Sequence, residues 1–320
     1  MKPVTPFGRG AWSAARGHIN TLRPYFQRSL RPGERPVTEP FVTRLIESDA
    51  REVEVTGELL RNNSSRLVIF IHGLGGNTDS GYMTEALCAA QVLGVSALLL
   101  NCRGADRRGS DIYHSGLTSD LAAAISSEIL SEMREIDIVG YSLGGHIALC
   151  YACDQPDPRV RRIAAICSPL HLAAAADDFD RPYFNLYRSH VMDGLKEIYT
   201  AAYQRNPGGL LPEQARKIDK IRVWDEMIVA PRFGFQSANH YYESESIGPR
   251  LAHLKREALY VGAVADPMVR ASSVLPYLGV SNLSVVWNER AGHLGFEPKF
   301  DLGREAPLGL ESQVLSWLER

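Results

Sequence analysis

The sequence predicts an α/β fold: a mostly parallel central sheet flanked by helices, with a helical segment inserted late in the chain. Two observations point there first. Short apolar runs of strand length recur at residues 66–71, 95–100, 136–140, 161–167, 258–264 and 282–287, several of them followed by segments of helical character. In the run at 66–71 apolar residues stand at consecutive positions, as a strand covered on both faces requires. A third observation places the insertion. Residues 172–256 are rich in aromatic and charged side chains and contain no such run. The expected organisation is therefore a basic, Pro-rich arm at 1–36, a core formed by 37–171 and 257–320, and a helical cap at 172–256.

Composition bounds the partners. The 320 residues suit one large α/β domain with an inserted cap. Hydrophobic content of 45% and charged content of 22% are those of an ordinary globular chain. A net charge of -2 gives no electrostatic footprint for nucleic acid. Basic residues gather in the arm (Lys2, Arg9, Arg16, Arg23, Arg28, Arg31, Arg35) against the single acid Glu34, and read as a solvated surface. Pro3, Pro6 and Gly8 interrupt any signal-type apolar region. No uncharged apolar run reaches the ~18 residues of a membrane span. Five cysteines, an odd number, argue against a disulfide framework and for a reducing, cytoplasmic setting. Cys150 and Cys153 form a C-x-x-C, but no second pair completes a metal site, so they read as buried thiols on a helix.

Along the chain, a short helical piece is expected within Trp12–Gln27. Phe41–Ile46 and Glu52–Leu60 follow a period of two and read as an antiparallel pair at a sheet edge. Arg66–Ile71 is then a central strand that empties into His72-Gly73-Leu74-Gly75-Gly76-Asn77, with a helix beginning near Thr78–Ser80. Such a loop exposes backbone N–H groups, and the Leu74 N–H is the candidate donor to a developing oxyanion. After the strand Val95–Leu100 comes Asn101-Cys102-Arg103-Gly104. The next helix opens at Thr118, a candidate N-cap, with Asp120 favouring its positive end. His114 reads as a structural or surface histidine.

The run Ile136–Gly140 leads into Gly140-Tyr141-Ser142-Leu143-Gly144, a Gly-x-Ser-x-Gly between strand and helix. A sharp turn there lifts Ser142 Oγ to a helix N-terminus, where it can lose its proton to a base and attack a carbonyl. The Leu143 N–H supplies a second oxyanion donor. Downstream, the strand at 258–264 ends at Asp266, and the strand at 282–287 is followed by Gly292-His293. The order Ser142, Asp266, His293 is that of the α/β-hydrolases, not that of chymotrypsin or subtilisin. In those roles Ser142 attacks, His293 carries the proton, Asp266 holds the imidazole tautomer, and no cofactor or metal is needed. Asp225 is a weaker acid candidate because it lies in the cap, and His72 and His146 receive no part in proton transfer.

Further blocks resemble the YheT-like branch of the α/β-hydrolases. They are Gly17-His18-Ile19-Asn20-Thr21, Asn101-Cys102-Arg103-Gly104 with Tyr113–Leu121, Trp224-Asp225 with Ala230-Pro231, Gly234-Phe235 and Tyr241-Tyr242, and Gly292–Phe296. The resemblance implies a serine hydrolase of carboxylic esters, with lipid acyl hydrolases among the eukaryotic members. The chain departs in having Ala265 where a second Asp is common, a Cys at 102, and no N-terminal anchor of the eukaryotic kind. The expected substrate is therefore a short- or medium-chain acyl ester, a small molecule. Thioester and acyl-lipid hydrolysis stand as alternatives on the same three side chains. A catalytically silent binding protein of this fold would have no physical need for all three.

Overall fold

The computed structural model describes residues 17–21, 35–48, 50–154, 156–182 and 185–319. Residues 17–21 are helical; the rest of Trp12–Gln27 and most of the basic arm lie outside the described residues. Eight strands form one sheet: β1 Glu39–Ile46, β2 Glu52–Leu60, β3 Arg66–Ile71, β4 Ser96–Leu100, β5 Glu135–Tyr141, β6 Val160–Ile166, β7 Glu257–Ala263 and β8 Leu283–Asn288. Their spatial order is β1-β2-β4-β3-β5-β6-β7-β8. β1 pairs antiparallel with β2, and β2 antiparallel with β4; every other pairing is parallel. The period-two segments thus form the edge hairpin, and the apolar runs form the parallel body.

The central parallel strands are mostly apolar because both faces are covered. Val68 and Phe70 of β3 face one cluster, with Met83 and Leu87 of helix α1 (Gly81–Val92), and Val314 and Trp317 of the C-terminal helix (Leu310–Leu318). Leu67, Ile69 and Ile71 face the other, with helices α2 (Ser119–Ser126) and α3 (Leu143–Cys153). Cys150 and Cys153 are buried on α3, and burial pushes the Cys153 thiol up to about 11. None of the five cysteines, all of them among the described residues, is in a disulfide. Thr118 does stand at the N-cap of α2, but without a side-chain cap bond. Asp120, expected to complement the helix end, is in addition tied to Arg103, whose Nε donates to Oδ1 at 2.8 Å.

Between β6 and β7 every described element is helical. Helix α4 (Leu172–Phe179) and the long α5 (Asn185–Arg205) are followed by short turns. A π-helical turn, Asp225–Val229, then precedes α6 (Ala238–Glu245). No described helix is long and apolar enough to cross a membrane.

Candidate active site

The turn at Ser142 is made by backbone proximity. β5 ends at Tyr141 and α3 begins at Leu143, so one residue must reverse the chain, and Ser142 does so at φ 52°, ψ −117°. That left-handed backbone is costly for a residue with a Cβ. It is held by Ser142 N donating to Ile166 O at 2.8 Å and Ser168 Oγ donating to Ser142 O at 2.9 Å. The flanking glycines permit the approach: a Cβ on Gly140 would sit 2.2 Å from Gly144 O, and one on Gly144 would sit 2.2 Å from Ile71 O. Leu143, first in α3, has an N–H that the helix itself cannot satisfy.

The loop after β3 is fixed from several sides. Tyr82 Oη accepts from Gly73 N at 3.0 Å, and Tyr113 Oη accepts from Gly75 N at 2.8 Å. His72 Nε2 accepts from Cys102 N at 3.1 Å, and Asn101 Oδ1 accepts from Thr78 N at 3.1 Å. Burial, the largest influence, lowers the His72 pKa to about 4, so the ring is neutral at pH 7 and donates through Nδ1 to Gly73 O at 2.8 Å. The Gly73 and Gly75 amides are thus occupied. Among the described residues no hydrogen bond uses the N–H of Leu74 or Leu143.

Asp266 and His293 stand beyond β7 and β8 and meet. His293 Nδ1 lies 2.9 Å from Asp266 Oδ2 and 3.1 Å from Oδ1. Oδ1 also accepts from Met268 N at 2.8 Å and Val269 N at 2.9 Å, which orients the carboxylate. With Nδ1 donating to the acid, Nε2 of the neutral ring carries the lone pair. Both residues are buried, at 7% exposure each.

Ser142, Leu143, Leu74 and His293 line one cavity of about 430 Å³, and Asp266 contacts the His293 ring from its Nδ1 side. The remaining wall is mostly apolar and comes largely from the helical segment: Leu172, Phe179, Val191, Leu195, Trp224 and Val229. Asp225 also lines the cavity but bonds Tyr242, whose Oη donates to Oδ2 at 2.7 Å, and it has no contact with His293 among the bonds described. Burial raises the Asp225 carboxyl to about 7. His114, read as a structural or surface histidine, is buried and packs on Phe233 at a ring separation of 4.4 Å. Burial lowers its pKa to about 3.

Three residues escaped the reading of the sequence as contributors to this site. Tyr82 and Tyr113 hold the loop that carries Leu74. Thr21 Oγ1 accepts from His293 N at 2.8 Å. The signal for Thr21 and Tyr113 was their place in matched blocks, which marked the positions without indicating a task.

The sequence profile described as "Alpha/beta hydrolase family" matches residues 68–300, and the chain belongs to that family. Within it, the chain is 28% identical to "Putative esterase YheT" of Escherichia coli (strain K12), over 94% of this chain and 89% of that one. It is 27% identical to "Embryogenesis-associated protein EMB8" of Picea glauca, over 82% of this chain but only 60% of that one. A monoacylglycerol lipase of Saccharomyces cerevisiae is 20% identical, over 66% of this chain and half (50%) of its own length. Among solved structures, the Pyrococcus furiosus esterase Pf2001 superposes with a TM-score of 0.50 at 14% identity, over 80% of this chain and 85% of that one. A hydrolase from Pseudomonas aeruginosa does so with a TM-score of 0.50 at 20% identity, over 79% and 91%. Both share the fold.

Proposed function

We propose that this hydrolase-family chain cleaves carboxylic esters through Ser142, His293 and Asp266, by way of an acyl-enzyme. The observation that carries the reading is the His293 Nδ1–Asp266 Oδ2 pair at 2.9 Å, in a ring that lines the same cavity as a serine held at φ 52°. Ser142 Oγ attacks the ester carbonyl while His293 Nε2 takes its proton. The oxyanion is received by the Leu74 and Leu143 amides, fixed donors that need no reorganisation as charge develops. His293 returns the proton to the leaving alcohol. A water molecule, deprotonated by the same nitrogen, then releases the acid and regenerates Ser142. Asp266 keeps the proton on Nδ1 and stabilises the imidazolium.

The substrate reading is a short- or medium-chain acyl ester. A volume of about 430 Å³ is at the small end of the range for small-molecule sites, and the apolar wall suits an acyl chain. Similarity to the yeast monoacylglycerol lipase favours a second reading, an acyl lipid on the same side chains. The cap boundaries at 172–256 belong to this proposal, as does a reducing, cytoplasmic setting, which five cysteines outside any disulfide support. The test is labelling with a fluorophosphonate probe. Wild-type protein should be labelled and Ser142→Ala should not; equal labelling of the two would overturn the proposal.

A further inference from the structure

We infer that the helical turn at residues 17–21 is part of the site, and that Thr21 is a positioning residue for His293. The inference rests on the hydrolytic reading above for its kinetic arm alone. His293 sits in a tight reversal: Gly292 and Gly295 bond each other across it, at 3.1 Å and 3.4 Å, and Leu294 adopts φ 53°. The His293 N–H finds its acceptor in Thr21 Oγ1, at 2.8 Å and 272 positions away in sequence. A buried N–H needs such a partner. The Thr21 hydroxyl spends its own hydrogen on Gly17 O at 2.7 Å, so its lone pair is fixed in direction toward His293.

The turn touches each loop that would have to stay in register. A Cβ on Gly17 would lie 1.8 Å from Ala265 O, the residue before Asp266. A Cβ on Gly292 would lie 2.3 Å from Gly17 O and 2.4 Å from Thr21 Oγ1. Asn20 Nδ2 donates to Arg290 O. On its other side His18 stacks on Tyr187 of α5, with ring centroids 5.6 Å apart and planes 16° from parallel. Tyr187 and Thr21 both line the cavity. One turn therefore ties the acid loop, the base loop and α5 together. The Thr21 bond holds the backbone that carries the His293 ring from outside its own loop, beside the Asn20 bond to Arg290. Displacement of about 1 Å in such a group costs on the order of 100-fold in rate.

The experiment uses the full chain with Thr21→Val, which keeps the shape and removes the hydroxyl, beside Thr21→Ala and Thr21→Ser. Two readouts are taken: kcat and KM on p-nitrophenyl butyrate, and the low-field proton resonance of His293 Nδ1–H in histidine-labelled protein. Loss of the hydroxyl should lower kcat by about tenfold to 100-fold with KM within about twofold, and should broaden or shift the resonance. Thr21→Ser should restore both. Wild-type kcat and an unmoved resonance in Thr21→Val and Thr21→Ala would overturn the inference, as would Thr21→Ser proving no better than Thr21→Val. If wild type fails to hydrolyse the ester, the hydrolytic reading fails, while the resonance still decides whether Thr21 positions His293.

Discussion

Replacing Asp266 by asparagine isolates the task of the acid, because the change keeps the shape and alters only the hydrogen-bond polarity. In the wild type Oδ1 accepts from the amides of Met268 and Val269 at 2.8 Å and 2.9 Å, and Oδ2 faces His293 Nδ1 at 2.9 Å. The asparagine oxygen will stay with the two amides. Its NH2 group then points at Nδ1, which must present a lone pair, so the ring proton moves to Nε2 and Ser142 loses its base. Flipping the amide would restore the tautomer but set NH2 against two buried N–H donors, at a cost of about 1–3 kcal/mol each. The expected result is a loss of about four orders of magnitude in kcat, or about 5 kcal/mol of transition-state stabilisation, with folding stability little changed. Initial rates on p-nitrophenyl butyrate, with urea unfolding in parallel, measure both. An Asp266→Asn enzyme within about tenfold of wild type would refute the assignment of the acid.

Two further outcomes are expected. Gly144→Ala forces a Cβ to 2.2 Å from Ile71 O and 2.6 Å from His72 O, so the elbow must shift. Fluorophosphonate labelling should be lost and urea stability should fall by about 1–3 kcal/mol; unchanged labelling would contradict the close-approach account. The second concerns pH. His114 titrates at about 3 in the fold and near 6.5 when unfolded, so below pH 6.5 the unfolded chain holds a proton that the fold excludes. Its contribution to stability is present above pH 6.5 and is lost at about 1.4 kcal/mol per pH unit as pH falls toward 3. Asp225, raised to about 7, acts in the opposite sense over much of that window, so the comparison has to be made with a variant. Between pH 7 and pH 5 His114→Gln should lose about 2 kcal/mol less than wild type in urea unfolding. Parallel losses in the two proteins would refute the buried neutral ring.

Much of this architecture was legible because local chemistry and tertiary position agree. The apolar run Arg66–Ile71 is a strand covered on both faces, and the alternating Glu52–Leu60 is the strand next to the sheet edge. Ser142, Asp266 and His293 could be selected because each follows a strand and the parallel topology collects strand exits at one edge. Their supports were not legible. Nothing local to Tyr82 or Tyr113 announces a hydroxyl that receives a glycine amide, and the Thr21–His293 bond spans 272 positions. Asp120 looked like a helix-end charge because the helix is local, whereas its partner Arg103 lies on the preceding loop. Helical character was visible across 172–256, but its turns depend on packing over the sheet, and the π-helical turn at Asp225–Val229 left no mark in composition.

The long helical excursion between β6 and β7 also bears on how the chain folds. Closing roughly 90 residues into a loop costs about 4 kcal/mol of chain entropy, against about 2.4 for a 15-residue crossover. β5 and β6 join across a far shorter connection, so the serine's half of the sheet can assemble from nearby sequence. β7 and β8, which deliver Asp266 and His293, must wait for the excursion to compact or bear the larger entropy loss. The pairing that brings Asp266 and His293 to the Ser142 turn thus carries about 1.6 kcal/mol more loop entropy than a 15-residue crossover would.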